Sequence, residues 1–239
     1  MKCHFILLSG GSGSRMQTTV PKQFLMLGAK QVILYSAEVF STWKRRGSFI
    51  CVANPEYINE TETALKSVRM SAEKSSNYFQ IVPGGKNRHE STLAGIYALK
   101  DTLGTDDLLF FHDAARPLLL ENELERLFTA FQTDQNIEIA SLVSPVTETL
   151  VMANSLPGTM TQSLDRNQIY SVKTPQVLKS SSLPKFLSSS DKSEFTDLLT
   201  WGEASGIPGY LVLAENDNIK LTNISDLEVM NAILEKRIK

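Results

Sequence analysis

Three short segments of this sequence carry residues suited to binding phosphates. A hydrophobic run at 5–8 ends in SGGSGSR at 9–15, PKQF follows at 21–24, and HDAARP stands at 112–117. A strand that opens into nearly bare backbone lets amide N–H groups converge on phosphate oxygens, because no Cβ atoms intervene. Arg15 and Lys22 add the positive charge that a neutral loop lacks. These segments predict a site for a nucleoside triphosphate.

Two known glycine patterns do not fit the first loop. The dinucleotide fingerprint needs a third glycine where this chain has Met16, and the P-loop needs Gly-Lys-Ser/Thr where it has Gly-Ser-Arg at 13–15. The alternative interpretation of the loop alone is a tight glycine turn without a ligand. Arg15, Lys22 and Asp113 together favour the phosphate site over that alternative.

The composition limits the class of protein and its partners. With 239 residues, 42% of them hydrophobic and 21% charged, the chain can bury a full core, and we expect one α/β domain over 1–239. A net charge of -2 gives no overall field that would hold nucleic acid or an anionic membrane, so neither is expected as a partner. The predicted partners are small molecules.

Cysteine usage and hydropathy predict a location. Cys3 and Cys51 both lie in strand-like runs and make neither a disulfide framework nor a zinc site. The sequence shows no secretory signal and no apolar run of about eighteen residues. We therefore expect a cytoplasmic protein.

Apolar runs and helical patterns alternate along the chain. Strand-like runs stand at 4–8, 49–53, 79–82, 108–112, 138–143 and 209–214, and most are continuously apolar, as in parallel strands covered on both faces. Helical spacing is found at 32–42, 56–69, 88–102, 121–133 and 224–237. The alternation predicts a doubly wound α/β fold with a mostly parallel sheet. Ligands of such sheets bind at the carboxyl ends of the strands, where the 9–15 loop, the 84–88 loop and Asp113 fall.

One segment, 144–176, interrupts this alternation. Residues that favour β-structure flank the turn sequence NSLPG at 154–158, which predicts a hairpin arm that leaves the main body. An isolated two-stranded arm is marginally stable in water and must pack on another surface. We expect that surface to be a second copy of the chain, and the alternative is an arm folded back on its own domain.

Five blocks, in order, carry a family resemblance. They are SGGSGSRM with PKQF, GGKNRHESTLAG at 84–95, HDAARP at 112–117, DRNQIYSVKTPQ at 165–176, and DNIKLT at 217–222. On these blocks the whole chain resembles the 2-C-methyl-D-erythritol 4-phosphate cytidylyltransferase family of the non-mevalonate isoprenoid pathway, and also the related ribitol 5-phosphate cytidylyltransferases. The resemblance implies a Rossmann-like nucleotidyltransferase fold with a protruding β-hairpin arm.

The resemblance also implies a reaction, in which CTP and a polyol phosphate give a CDP-polyol and pyrophosphate. Two anions must meet and negative charge must accumulate on the leaving group, so catalysis is mainly electrostatic. Arg15, Lys22 and Lys220 are the candidate catalytic cations. Asp113 is the candidate catalytic carboxylate and Mg²⁺ ligand, with Asp217 as a second metal ligand, because Mg²⁺ prefers one or two carboxylates together with phosphate oxygens.

The resemblance further implies two binding sites. The CTP site is expected to include Ser9, Gly10, Gly11, Ser12, Gly13, Gly85, Lys86, Arg88, Ser91 and Ala114. The polyol-phosphate site is expected to include Arg116, Thr149, Arg166 and Thr174, with Arg166 supplied by the arm of a partner in a homodimer. Other interpretations are a solvated Arg166, a Thr149 that only fills a strand, and a Lys220 that is a surface cation. His112 is expected to be packed, and His4 and His89 to be structural, because the three histidines lack metal-ligand spacing.

Departures from the family pattern bear on the substrate. The sequence TLV at 149–151 and TDL at 196–198 favour the ribitol phosphate branch, whereas Ala115 and DRN at 165–167 favour the isoprenoid branch. The predicted substrate is 2-C-methyl-D-erythritol 4-phosphate, with ribitol 5-phosphate as the alternative. A non-catalytic nucleotide-binding module on the same fold and a sugar-1-phosphate uridylyl- or thymidylyltransferase are further alternatives.

Overall fold

The computed structural model of the chain describes residues 1–11, 16, 20–74, 79–189 and 195–238. The strands are β1 Cys3–Ser9, β2 Met26–Leu27, β3 Lys30–Gln31, β4 Arg46–Ala53, β5 Phe79–Pro83, β6 Leu108–Asp113, β7 Ile139–Pro145, β8 Val151–Ala153, β9 Met160–Ser163, β10 Tyr170–Lys179 and β11 Gly209–Leu213. The helices are α1 Val32–Thr42, α2 Ile58–Ala64, α3 Lys66–Lys74, α4 Arg88–Leu99, α5 Glu121–Thr133, α6 Leu183–Ser189, α7 Leu198–Ala204 and α8 Asp226–Ile238.

The centre of the molecule is a seven-stranded sheet in the order β11-β7-β10-β6-β1-β4-β5. Neighbouring strands run parallel except at β10, which is antiparallel to both β6 and β7. The predicted doubly wound, mostly parallel sheet is confirmed. All six residues of β6 are buried, because both faces of the sheet are covered, which explains the lack of alternation in the sequence.

Helices cover the two faces with separate hydrophobic cores. On one face, side chains of α1 and α5, such as Phe40 and Leu127, pack on the sheet. On the other face, α4, α6 and α7 contribute Ile96, Phe186 and Trp201. A smaller cluster joins α8 to the short β2–β3 hairpin and to the loop after β6. This cluster fixes the segment that precedes α8 against the carboxyl edge of the sheet.

The structure differs from the predicted elements in several places. The helix predicted at 56–69 is two short helices, α2 and α3, which meet at Leu65. The helices α6 and α7 and the strands β2 and β3 lie where no element was predicted. Within the part of the chain that the structure describes, no helix has both the length and the hydropathy that a bilayer-spanning segment requires.

The arm follows the prediction over most of its length but not at its end. Strands β8 and β9 form an antiparallel hairpin around the predicted turn, and every residue of both strands is exposed. Strand β10 begins exposed at 170–172, beside the end of β7, and then enters the sheet between β6 and β7. The last residues of the predicted arm therefore belong to the central sheet. A register shift between Val172 and Gln176 accommodates Pro175, which cannot donate to a ladder.

Candidate active site

A cleft of about 310 Å³ lies at the carboxyl ends of β1 and β6. In the sheet order, β4 and β5 follow β1 on one side and β6 lies on the other, so the cleft stands at the point where the direction of winding reverses. Its lining residues are Leu8, Ser9, Gly10, Gly11, Lys22, Gln23, Gly85, Lys86, Asn87, Arg88, Ser91, Asp113, Ala114, Ala115 and Lys220. The cleft thus contains residues from four of the five motif blocks, and the block at 165–176 contributes none.

The loop after β1 forms one wall of the cleft. Ser9 is the last residue of β1, and its carbonyl accepts a hydrogen bond from Gln23 Nε2 at 3.0 Å. Ser9 Oγ is buried and has no hydrogen-bond partner among the described residues, so it is available to a ligand. The predicted site residues Ser12, Gly13 and Arg15 lie outside the described residues, and their roles stay predictions.

The 84–88 loop and the start of α4 form the opposite wall. Asn87 caps α4, because its Oδ1 accepts the N–H of Glu90 at 2.8 Å. Ser91 Oγ donates to Asn87 O at 2.9 Å and accepts the N–H of Gly85 at 3.2 Å. A Cβ on Gly85 would lie 2.2 Å from Glu90 Cβ, so the tight loop requires glycine there. The positive end of α4 consequently opens on the cleft, where it favours an anion.

Asp113 is the carboxylate of the cleft and holds two cations. Its Oδ2 accepts Lys220 Nζ at 2.6 Å, and its Oδ1 accepts Arg88 Nη2 at 3.3 Å. Burial alone would raise the pKa of Asp113, but the charges of Arg88 and Lys220 outweigh burial and hold the pKa well below its usual range. Asp113 is therefore ionised at neutral pH. Arg88 Nη1 also donates to Thr196 O at 3.2 Å, which ties the cleft to the segment before α7.

The buried residue Leu221 positions both lysines of the cleft. Its N–H donates to Ala115 O at 2.8 Å, and its side chain is fully buried in the cluster beneath α8. Its carbonyl accepts Lys22 Nζ at 3.1 Å, while Lys220 is its immediate neighbour. Lys220 is therefore held with its ammonium group beside the carboxylate of Asp113. This contact differs from the solvated surface cation of the alternative interpretation.

The lining of the cleft has an excess of positive charge. Among the described residues that line it, Lys22, Lys86, Arg88 and Lys220 are basic, and Asp113 is the one acid. An excess of cations around a concave site concentrates anions there. The arrangement suits a polyphosphate.

Behind the cleft, His112 and Thr174 are buried and bonded to each other. Thr174 Oγ1 lies 3.0 Å from His112 Nδ1 and 3.1 Å from the backbone nitrogen of Asp113. His112 Nε2 lies 3.0 Å from Arg116 O. Burial lowers the pKa of His112 to about 4, so its ring is neutral at neutral pH. The expectation that His112 is packed is confirmed, and substrate binding by Thr174 stays a prediction.

The other predicted polyol-phosphate and metal residues do not line this cleft. Arg116 is buried beside it and donates from Nη1 to Asn218 O at 3.0 Å. Thr149 and Arg166 are exposed on the arm, where Arg166 Nη1 donates to Thr147 O at 2.9 Å. Asp217 faces Arg237, with Oδ2 and Nη2 3.6 Å apart. Their predicted roles stay predictions.

Sequence reasoning left some lining residues unassigned. Gln23 stands within the PKQF block, but nothing in the sequence pattern indicates that its amide reaches Ser9 O. Asn87 could have been assigned, because Asn-x-x-Glu at 87–90 is a capping signal directly after the glycine pair. Ala115 lines the cleft beside Ala114 and carries no chemical signal.

Comparison with known proteins agrees with this geometry. The family model described as 2-C-methyl-D-erythritol 4-phosphate cytidylyltransferase matches residues 3–236. A relative with that name from Leptospira interrogans is 34% identical over 98% of this chain and 94% of its own length. A ribitol-5-phosphate cytidylyltransferase from Lactiplantibacillus plantarum is 29% identical, covering 97% of each chain.

The crystal structure of the Francisella tularensis 2-C-methyl-D-erythritol 4-phosphate cytidylyltransferase superposes with a TM-score of 0.76 at 22% identity, covering 97% of this chain and 99% of that chain. This likeness shows that the nucleotidyltransferase fold is shared. The family match spans nearly the whole chain, including the strands and loops that build the basic cleft. This protein is an enzyme of the 2-C-methyl-D-erythritol 4-phosphate cytidylyltransferase family.

Proposed function

We propose that this enzyme transfers the cytidylyl group of CTP to a polyol phosphate and releases pyrophosphate. The observation that carries the proposal is the basic cleft at the carboxyl ends of β1 and β6, whose described lining residues include four cations and one carboxylate. The preferred acceptor is 2-C-methyl-D-erythritol 4-phosphate, which would place the enzyme in isoprenoid biosynthesis. The cytoplasmic location belongs to the same proposal.

The cleft supports this chemistry without a nucleophilic side chain. A phosphate monoester is largely ionised at neutral pH, so the acceptor can attack the α-phosphorus of CTP itself. The difficulty is electrostatic, because two anions approach each other and the leaving pyrophosphate gains charge. Lys22 and Lys220 both line the cleft, where Lys22 Nζ is held by Leu221 O and Lys220 Nζ by Asp113, and their charges can neutralise that of the pyrophosphate.

The loop at 84–91 is proposed to recognise the base. Its tight path around Gly85 presents backbone groups, and Ser9 Oγ offers a buried hydroxyl at the other wall. Backbone groups have fixed hydrogen-bond directions, so exchange of the cytosine amino group for the uracil carbonyl would set two acceptors against each other. Such a mismatch costs about 1–3 kcal/mol.

A magnesium ion is the proposed cofactor, with Asp113 as its protein ligand. The described residues contain no group of three or more His, Cys, Asp or Glu side chains that could hold a metal by themselves. A single carboxylate at the cleft fits Mg²⁺, which takes its other ligands from phosphate oxygens and water. When bound, the ion would supply charge stabilisation at the phosphate. Asp113 would then exchange its contacts with Lys220 and Arg88 for the ion.

The acceptor site is proposed to be completed by a second subunit. Val151, Met152, Leu156 and Met160 are exposed large apolar side chains on the arm hairpin, and burial against a partner would stabilise the hairpin. Arg166 lies on this arm and not in the cleft of its own chain. In a homodimer joined through the arms, Arg166 and Thr149 would reach the acceptor phosphate in the partner's cleft.

Pyrophosphate release tests the proposal directly. The purified enzyme with Mg²⁺ is given CTP or UTP, each with 2-C-methyl-D-erythritol 4-phosphate or ribitol 5-phosphate. We expect release with CTP and 2-C-methyl-D-erythritol 4-phosphate and an about 5- to 150-fold lower rate with UTP, from the mismatch of about 1–3 kcal/mol. Release with ribitol 5-phosphate alone would move the enzyme to the ribitol branch, for which the relative at 29% identity is named. No release with either acceptor would leave a nucleotide-binding module.

A further inference from the structure

A lysine that was not among the predicted site residues, Lys173, lies at the root of the arm beside the cleft. Strand β10 is antiparallel to β6 and pairs with it from Gln176 onward, so the residues before Gln176 extend past the carboxyl end of β6. The carbonyl of Lys173 accepts Ser141 Oγ at 3.2 Å. The hydroxyl of the next residue, Thr174, lies 3.1 Å from the backbone nitrogen of Asp113. Lys173 is therefore fixed at the edge of the sheet that carries the cleft.

The side chain of Lys173 is half-buried and has no counter-charge. Its ammonium group forms no hydrogen bond or ion pair with any of the described residues. Burial, and then the positive charge of Arg116, lower the pKa of Lys173 below its usual range. The two cations are thus close enough to repel each other. Because a half-buried ammonium group without a partner is unfavourable, this place is suited to an anion.

Arg116 has an unused donor of its own. Its side chain is 7% exposed, and Nη1 donates to Asn218 O at 3.0 Å, but Nε is buried without a hydrogen-bond partner among the described residues. The carboxylates that act on the charge of Arg116 are those of Asp113 and Glu123. Asp113 already holds the two cations of the cleft, and both oxygens of Glu123 accept backbone N–H groups. Neither carboxylate is left to compensate Lys173.

We propose that Lys173 is a further ligand of the acceptor phosphate, which it binds together with Arg116 of the same chain. The inference rests on the proposed function, because that function supplies the acceptor phosphate. A phosphate monoester carries a charge of about −1.5 to −2 at neutral pH and three acceptor oxygens. It can therefore offset the repulsion between the two cations and accept from the unused donors of both. Arg166, proposed to come from the second subunit, would be a third cation at the same phosphate.

Three variants separate the charge of Lys173 from its other properties. Lys173→Met keeps the length of the side chain and removes the charge, and Lys173→Arg keeps the charge. Lys179→Met is the matched control, because Lys179 is a largely buried lysine of the same strand. Lys179 pairs with Leu108, the first residue of β6, and so lies at the opposite edge of the sheet from the cleft.

Isothermal titration calorimetry measures binding apart from turnover. The polyol phosphate, 2-C-methyl-D-erythritol 4-phosphate, is titrated into enzyme saturated with CTP, with Mg²⁺ left out, and CTP is titrated separately. Lys173→Met should raise the Kd for the polyol phosphate about 10- to 150-fold, the usual effect of losing a charge-assisted contact, and leave the Kd for CTP within about twofold. Lys173→Arg should recover most of the affinity. Lys179→Met should change neither Kd.

Amine labelling tests the same residue with inorganic phosphate and does not depend on the proposed function. Unmodified protein is treated with an amine-reactive reagent in phosphate or in chloride of equal ionic strength, and the labelled lysines are identified by peptide mass spectrometry. At a phosphate concentration about ten times its Kd, labelling of Lys173 should slow by about tenfold. Labelling of Lys66, an exposed lysine of α3, should not change.

An unchanged Kd for the polyol phosphate in Lys173→Met would overturn the proposal, and so would labelling of Lys173 at the full rate in phosphate. A raised Kd for CTP alone would also overturn it, because Lys173 would then belong to the nucleotide site. If the unmodified protein binds neither 2-C-methyl-D-erythritol 4-phosphate nor ribitol 5-phosphate, the proposed function has failed, and the labelling result still decides whether Lys173 binds an anion. Should Lys173→Met fail to fold, labelling of the unmodified protein carries the test.

Discussion

The arm gives the sharpest test of how the active site is assembled. Arg166 is exposed on the arm, bonded to Thr147 O, and absent from the lining of its own cleft. If it contacts the acceptor phosphate of a partner, Arg166→Ala removes a charge-assisted contact worth about 1.5–3 kcal/mol. The KM for the polyol phosphate should then rise about 10- to 150-fold, with the KM for CTP nearly unchanged.

A mixing experiment distinguishes action in the partner's site from a local effect. Inactive Lys22→Ala protein is mixed in equal amounts with Arg166→Ala protein, assayed at low polyol phosphate. Random exchange makes about half of the dimers mixed, and in each of these one site combines an intact Lys22 with an intact Arg166. About a quarter of all sites should therefore regain full activity. Release of pyrophosphate is the measurement.

The control mixes Lys22→Ala with Lys220→Ala. Both lysines line the cleft of one chain, so every site in this mixture keeps one defect and no recovery is expected. Native mass spectrometry must show mixed dimers in both experiments. Absence of recovery in the Arg166 mixture, with mixed dimers present, would refute the shared site and make the role of the arm structural.

Three further predictions follow from the contacts of individual side chains. Lys22→Ala should lower kcat by about 10²- to 10³-fold, because its charge acts on the developing pyrophosphate, and an effect confined to the KM for CTP would refute this role. Burial, only partly offset by Asp107, holds the pKa of His4 below its usual 6.5. The unfolded chain therefore binds a proton that the folded chain does not, and the free energy of unfolding should fall as pH drops below about 6.5. Urea titrations should show that the free energy of unfolding falls less between pH 7 and pH 5 for His4→Gln than for the unmodified protein. An equal fall in the two proteins would contradict a lowered pKa of His4 in the folded chain. Burial raises the pKa of both cysteines, that of Cys3 to about 12. A thiol reagent should therefore label neither cysteine in the native protein and both after denaturation. Rapid labelling of the native protein would contradict the burial of the cysteines.

Much of the fold could be predicted from local patterns. The helices at 32–42 and 121–133 begin and end where the apolar spacing predicts, because each buries one continuous stripe of side chains on the sheet. The continuous apolar runs identify the strands that are covered on both faces. The glycine pairs at 10–11 and 84–85 identify the two walls of the cleft, and at Gly84 and Gly85 an added Cβ would lie 2.9 Å and 2.2 Å from a neighbouring atom.

Local sequence patterns could not predict that β10 is a central strand. Its Thr-Pro pair argues against a central strand, and its β-favouring residues continue those of the arm. The strand forms because β6 and β7 both present open edges to it, and that is a property of the assembled sheet.

The arrangement of charges in the cleft was likewise decided by tertiary structure. Local sequence is enough to identify residues that could bind phosphate, because side-chain chemistry and loop composition are local properties. The contact of Asp113 with Lys220 spans 107 residues, and that of Thr174 with His112 spans 62. No spacing rule encodes such pairs. They arise because segments far apart in the sequence meet at one edge of the sheet, where burial requires each polar group to find a partner.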